Sequence, residues 1–185
     1  MLAAKPNVIH IQSGRLRGRK LTFPDRPGLR PATGEMRETL FNWLRPILNE
    51  MRVLDAFAGS GALGIEALSQ GASYVKAYEI DEHAFNAIQN NLSSLPDLAY
   101  ELVKGDFTEN WQSLNNFNLI LLDPPYASDL LEKSLTFLSN KINDDTIVFI
   151  HHPSHVTPCM KDWEIIKQKT RQKRHYALLK TKQKD

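Results

Sequence analysis

Between Arg52 and Ile150 the chain repeats one pattern, a short apolar run followed by a stretch with helical spacing. Such alternation builds βαβ units, in which strands pair in parallel and helices cover both faces of the sheet. The runs place strands at Arg52–Ala56, Tyr74–Glu79, Ala99–Lys104, Leu119–Leu122 and Ile147–Ile150. Helices are expected near Gly61–Gln70, Glu82–Leu92 and Leu130–Ile142, with a short turn near Thr108–Ser113 and Gly71 as a C-cap. No repeat or low-complexity segment interrupts the pattern.

The flanks add smaller elements. Val8–Ile11 and Leu16–Leu21 surround Ser13-Gly14 and read as a hairpin, followed by the stiff linker Pro24–Gly28. Thr33 stands before Met36, Leu40, Trp43, Leu44 and Ile47, whose spacing marks an amphipathic helix capped by the threonine. Trp163–Thr170 and His175–Thr181 read as two strands around an Arg171–Arg174 turn, pairing antiparallel at one sheet edge.

At 185 residues and 42% hydrophobic content the chain suits one well-covered core with appendages. Its apolar runs are strand-sized, below the roughly 20 residues of a membrane span, and its first residues lack a signal-peptide core. A soluble, cytoplasmic protein is expected. Cys159 is the only cysteine, which excludes an intrachain disulfide and a thiolate metal cluster. Net charge is only +2, yet Arg15, Arg17, Arg19, Lys20, Arg26 and Arg30 crowd the start, and Lys167 to Lys184 carry a second basic run. Basic ends on a neutral body suit a polyanionic partner.

Asp55-Ala56-Phe57-Ala58-Gly59-Ser60-Gly61-Ala62-Leu63-Gly64 joins the first strand to its helix. Glycines there let backbone approach a ligand, and the helix N-terminus offers unpaired N–H groups. Gly59, Gly61 and Gly64 satisfy the dinucleotide fingerprint, with Glu79 at the distance of a ribose-binding carboxylate, so NAD is one reading. Asp55, however, suits a cationic amino group better than a pyrophosphate. Asp106, after the third strand, suits an adenine N6 amine, and no separate substrate domain follows the sheet. These features describe a pocket for a nucleoside bearing an amino acid, S-adenosylmethionine.

Asp123-Pro124-Pro125-Tyr126 follows the fourth strand. Two prolines lock the backbone and remove two N–H donors, so a carboxylate, carbonyl oxygens and an aromatic face project from one corner. A planar group with an exocyclic amine fits it: the amine donates to Asp123 and the Pro124 carbonyl, and Tyr126 stacks on the ring.

Asp55–Gly64, Glu79-Ile80-Asp81, Gly105-Asp106 and Asp123–Tyr126 resemble, in order and spacing, class I S-adenosylmethionine-dependent methyltransferases of exocyclic amines. Arg17–Leu21, Gly28–Pro31 and Arg37–Leu44 are similar to the bacterial family that methylates guanine N2 in 16S ribosomal RNA of the small subunit. The resemblance spans nearly the whole chain. It implies an α/β, Rossmann-like fold with a mostly parallel seven-stranded sheet, helices on both faces and an N-terminal β-hairpin. Residues 1–31 would form a basic RNA-contacting extension and 32–185 the methyltransferase domain.

By position, the resemblance implies that Asp55, Phe57, Ala58, Gly59, Ser60 and Gly61 hold the methionine part, Glu79 and Ile80 the ribose, and Asp106 and Phe107 the adenine. Asp123, Pro124, Pro125 and Tyr126 would hold the target base, with Asp123 also beside the cofactor. Arg15, Arg17, Arg19, Lys20, Arg30 and Arg37 would contact RNA. The partner implied is 16S RNA or the small subunit, met by a monomer. One departure stands out: His151-His152-Pro153 follows the fifth strand in place of an acidic residue.

Other readings remain open at this point. A DNA adenine or protein glutamine methyltransferase would use the same corner, and a non-catalytic RNA-binding module would keep the basic ends. His151, His152 and His155 suggest zinc, but Pro153 interrupts their alignment and no fourth ligand is evident, so no metal is expected.

Overall fold

The computed structural model describes residues 6–26, 29, 32–125 and 129–183, with the side chains of 110–113 excepted. Arg30 and Tyr126 therefore lie outside the described residues. Seven strands form one sheet: β3 (Arg52–Asp55), β4 (Tyr74–Glu79), β5 (Tyr100–Lys104), β6 (Leu119–Leu122), β7 (Ile147–Pro153), β8 (Trp163–Arg171) and β9 (Arg174–Thr181). Their order is β5-β4-β3-β6-β7-β9-β8, and β1 (Asn7–His10) and β2 (Lys20–Phe23) pair in a separate two-stranded sheet. Five central strands run parallel, while β9 pairs antiparallel with both β7 and β8.

The central strands are apolar on both faces because both faces are covered. Along β6, Leu119 and Leu121 point into one core and Ile120 and Leu122 into the other, as a period of two requires. The first core also holds Met36 and Leu40 of α1 (Gly34–Leu44), Leu63 and Leu68 of α2 (Ala62–Ser69) and Ile88 of α3 (Glu82–Ser93). The second holds Leu131, Leu135 and Leu138 of α4 (Leu130–Leu138) with Phe107, Leu114 and Phe117 around the 3₁₀ segment Phe107–Asn116. Thr33 caps α1 through its side chain, which accepts the Met36 N–H at 3.3 Å.

Three expectations change. The first hairpin is shorter than Val8–Ile11 with Leu16–Leu21, because its wide turn docks on α2 through residues 12–16, while the Ile11 N–H still donates to the Arg19 carbonyl. Gln12 and Ser13 donate N–H groups to Glu66 Oε1, Arg15 to the Ser69 carbonyl and Leu16 to Ser69 Oγ. Gly14 permits this approach: its φ is 79°, and a Cβ there would lie 1.8 Å from the Ser69 carbonyl oxygen. Next, α4 stops at Leu138 rather than Ile142. Finally, β7 runs past Ile150 through His151 and His152, which are held in the sheet by pairing with Tyr176 and His175 of β9.

Arg37 is a further correction. Its side chain is 4% exposed, donates to Glu66 Oε2 at 2.5 Å and to the His10 carbonyl at 2.9 Å, and so cannot serve as a surface RNA contact. Glu66 is itself fully buried and joins α1, α2 and the N-terminal loop. Removing one member of such a pair leaves the other charge buried without a partner. Glu66→Ala is expected to cost about 3–5 kcal/mol in urea unfolding and to remove amide-exchange protection at Gln12 and Ser13. A loss below about 1 kcal/mol would contradict this role.

Candidate active site

Strand order reverses between β3 and β6, since β4 and β5 extend to one side of β3 while β6 and β7 extend to the other. A crevice forms beyond the carboxyl ends of strands at such a point. Asp55 ends β3, and Asp123 follows β6. In register Asp55 aligns with Leu121, which brings the two carboxylates to the same mouth.

Asp55 is 1% exposed. Its Oδ2 accepts the Gly64 N–H at 3.2 Å, while Oδ1 is buried without a hydrogen-bond partner. Burial first, and then the Asp123 charge, push its carboxyl up to about 7, against the opposing pull of the Gly64 N–H. A buried acid with an unpaired oxygen and a negative neighbour is suited to a cationic ligand. The loop beyond it turns through Gly59 and Gly61, with φ of 55° and 75°, and delivers the chain to the N-terminus of α2. Ala58 and Ser60 are buried along that loop.

Glu79 ties this loop to the next one. Its Oε2 accepts the Gly59 N–H at 2.7 Å and its Oε1 the Asp81 N–H at 2.8 Å. Burial raises its carboxyl above the usual range, and the Asp81 and Gly59 N–H groups oppose that rise. One donor on each oxygen leaves lone pairs for further hydroxyl donors. Ile80 beside it is 75% exposed, presenting apolar surface at the crevice rim.

Asp106 caps the 3₁₀ segment, its Oδ1 accepting from both the N–H and the hydroxyl of Thr108 at 2.8 Å. Next to it opens a cavity of about 300 Å³ lined by Phe57, Asp106, Phe107, Thr108, Ser134 and Phe137, among others. Phe107 packs edge-on to Phe57 and Phe137, each at 5.8 Å between ring centroids. Aromatic walls with a carboxylate at one side suit a flat heterocycle bearing an amine.

At the substrate corner Pro124 is buried and Pro125 exposed. Asp123 Oδ1 lies 2.7 Å from His151 Nδ1, a contact that neither the zinc reading nor the replacement of an acidic residue anticipates. The signal was present in the register: Leu122 pairs with Ile150, so the next residue of each strand must adjoin. Thr108 and Ser134 are likewise lining residues that no motif marked.

The basic residues divide between two ends. Arg15, Arg17, Arg19 and Lys20 are exposed, but Arg15 docks at Ser69, the last residue of α2. Eight residues of helix, about 12 Å at 1.5 Å per residue, separate that end from the Gly61 loop. Arg171, Lys173 and Arg174 instead surround the β8–β9 turn, where Arg174 pairs with Pro153 just beyond His151.

A family model described as conserved hypothetical protein 95 matches residues 9–180. The chain belongs to that family. Within the conserved hypothetical protein 95 match fall all the crevice residues described above. The chain is 36% identical over 172 residues to a Buchnera aphidicola protein named ribosomal RNA small subunit methyltransferase D, with 89% of each covered. It is 38% identical over 154 residues to the Escherichia coli K12 protein of that name, covering 79% of this chain and 78% of the relative. A solved Escherichia coli structure titled "Putative methyltransferase yhhF" matches with a TM-score of 0.84 at 32% identity, covering 95% of this chain and 98% of that one.

The raised Asp55 carboxyl carries a stability consequence. Its ordinary value is 3.8, so between there and about 7 the unfolded chain has released a proton that the folded chain keeps. Stability therefore falls as pH rises through that window, by ~4 kcal/mol for a shift of this size at 1.36 kcal/mol per unit. Asp55→Asn keeps an acceptor for Gly64 without the charge. The ligand-free variant should melt above the wild type at pH 8, with the gap narrower at pH 5; an equal gap at both pH values would contradict the assignment.

Proposed function

We propose that this protein transfers a methyl group from S-adenosylmethionine to the exocyclic N2 amine of a guanine in 16S ribosomal RNA. The observation that carries this reading is the pairing of a buried, half-partnered Asp55 with the Asp123-Pro124-Pro125 corner across one crevice. Support for the RNA comes from the relatives' name and from the basic segments.

The unpaired Asp55 Oδ1 fits the cofactor's ammonium, Glu79 its ribose hydroxyls and the aromatic cavity beside Asp106 its adenine. When bound, S-adenosylmethionine supplies a sulfonium methyl whose S–C bond breaks as the N–C bond forms, the electron pair returning to sulfur. The chain's own task is alignment of the amine with that methyl. Asp123 and the Pro124 carbonyl accept its N–H bonds and so favour the positive charge growing on nitrogen, which is stabilisation directed at the transition state. The excess proton leaves to Asp123 or water.

A stacked guanine hides its amine edge, so the base enters the corner flipped out, and Tyr126 is assigned the stacking role. Residues 1–31 form the RNA-contacting extension of a 32–185 methyltransferase domain, with Arg15, Arg17, Arg19, Lys20 and Arg30 on phosphates. Arg171 and Lys173 are exposed at the β8–β9 turn, which leads into the strand that pairs with β7. The protein works as a monomer in the cytoplasm, on 16S RNA or a small subunit.

Incubation with methyl-labelled S-adenosylmethionine and naked 16S RNA or 30S particles, with nucleoside mass spectrometry, tests the reading. N2-methylguanosine is expected, and Asp123→Ala should lower kcat by about 10²–10³. Label confined to DNA or protein, or to another nucleoside, would overturn it.

A further inference from the structure

We infer that His151 is the positioning residue of the reaction, holding Asp123 in its amine-accepting orientation; this rests on the methyl-transfer reading above. The pair is short and sheltered: Nδ1 to Oδ1 is 2.7 Å, with side-chain exposures of 5% and 15%. A carboxylate only accepts, so the contact requires the proton on Nδ1 of His151. That donation occupies Oδ1 and directs Oδ2 to the substrate amine.

Both partners are fixed from behind. Asp123 is followed by two prolines, which restrict its backbone to extended conformations. His151 sits inside β7, clamped by the ladder to Tyr176 of β9, and its ring lies 5.0 Å from the Tyr176 ring at a 32° tilt. The imidazole therefore has little freedom to follow Asp123, and the hydrogen bond sets the carboxylate plane rather than the reverse. There is a reason to need this. Asp55 ends the neighbouring strand and places a second carboxyl group in the same mouth, on which the Asp123 charge acts. Without a donor on Oδ1, Asp123 would rotate away from the crevice and lose its aim.

The test compares His151→Phe, which fills the ring volume without a donor, with His151→Asn, whose amide N–H replaces Nδ1–H. His151→Phe should lower kcat for 16S RNA methylation by about tenfold to a hundredfold, the size usual for loss of a group that orients an active-site partner. KM for RNA and calorimetric affinity for S-adenosylmethionine should stay within about twofold, since neither is a property of the Asp123 plane. His151→Asn should recover most of the loss. In ¹⁵N-histidine NMR of the ligand-free protein, the His151 Nδ1 should be protonated, and its signal should shift on Asp123→Ala.

Wild-type kcat in His151→Phe, or equal losses in both variants, would overturn the positioning role, as would an unprotonated Nδ1. An active wild type with an indifferent His151 refutes this inference alone. A wild type that methylates no RNA refutes the reading beneath it, and this inference falls with it.

Discussion

Two carboxylates meet at the mouth of a parallel sheet, and the site is organised around the cost of keeping them there. Pairing of β3 with β6 brings Asp55 and Asp123 to neighbouring strand ends, the first buried and the second partly exposed. The chain meets this with partial measures: a Gly64 N–H for Asp55 and an imidazole for Asp123. Asp55 Oδ1 is left without a protein donor. Strain of this kind is expected at a site shaped for a ligand rather than for folding alone.

Farther out, the opposite solution appears. Glu66, equally buried, is fully met by Arg37 and by backbone donors from the N-terminal loop, so it binds that loop to the core rather than awaiting a partner. The two buried acids of the α2 region differ only in what surrounds them, and that difference separates scaffold from site. The same helix therefore carries a ligand loop at its start and a structural clasp near its end.

Most of the sheet was legible because buried parallel strands must be apolar on both faces, which leaves continuous runs such as Leu119–Leu122 in the sequence. The fingerprint glycines and the Asp123 corner were legible for a related reason, since few residue types satisfy their backbone demands. What escaped depended on partners distant in sequence. His151 and His152 join β7 only through β9, and the polar ladder they form has no periodic signature. Arg37 was assigned to RNA through the family resemblance, because nothing near it in the chain announces Glu66. The turn at Ser13-Gly14 is wider than its residues announce, because two side chains and a carbonyl on α2 hold residues 12–16 away from the ladder.

The central claim is that Asp55 is a proton-holding acid in the free protein and a carboxylate paired with the ligand's amino group when bound. Carboxyl ¹³C NMR of selectively labelled aspartate, titrated with and without S-adenosylhomocysteine, reads this directly, because that ligand keeps the ammonium and lacks the sulfonium. An Asp55 midpoint near 7 is expected in the free protein, falling into or below the ordinary carboxylate range on binding. A free-protein midpoint at the ordinary value, or one that the ligand leaves unmoved, would contradict it.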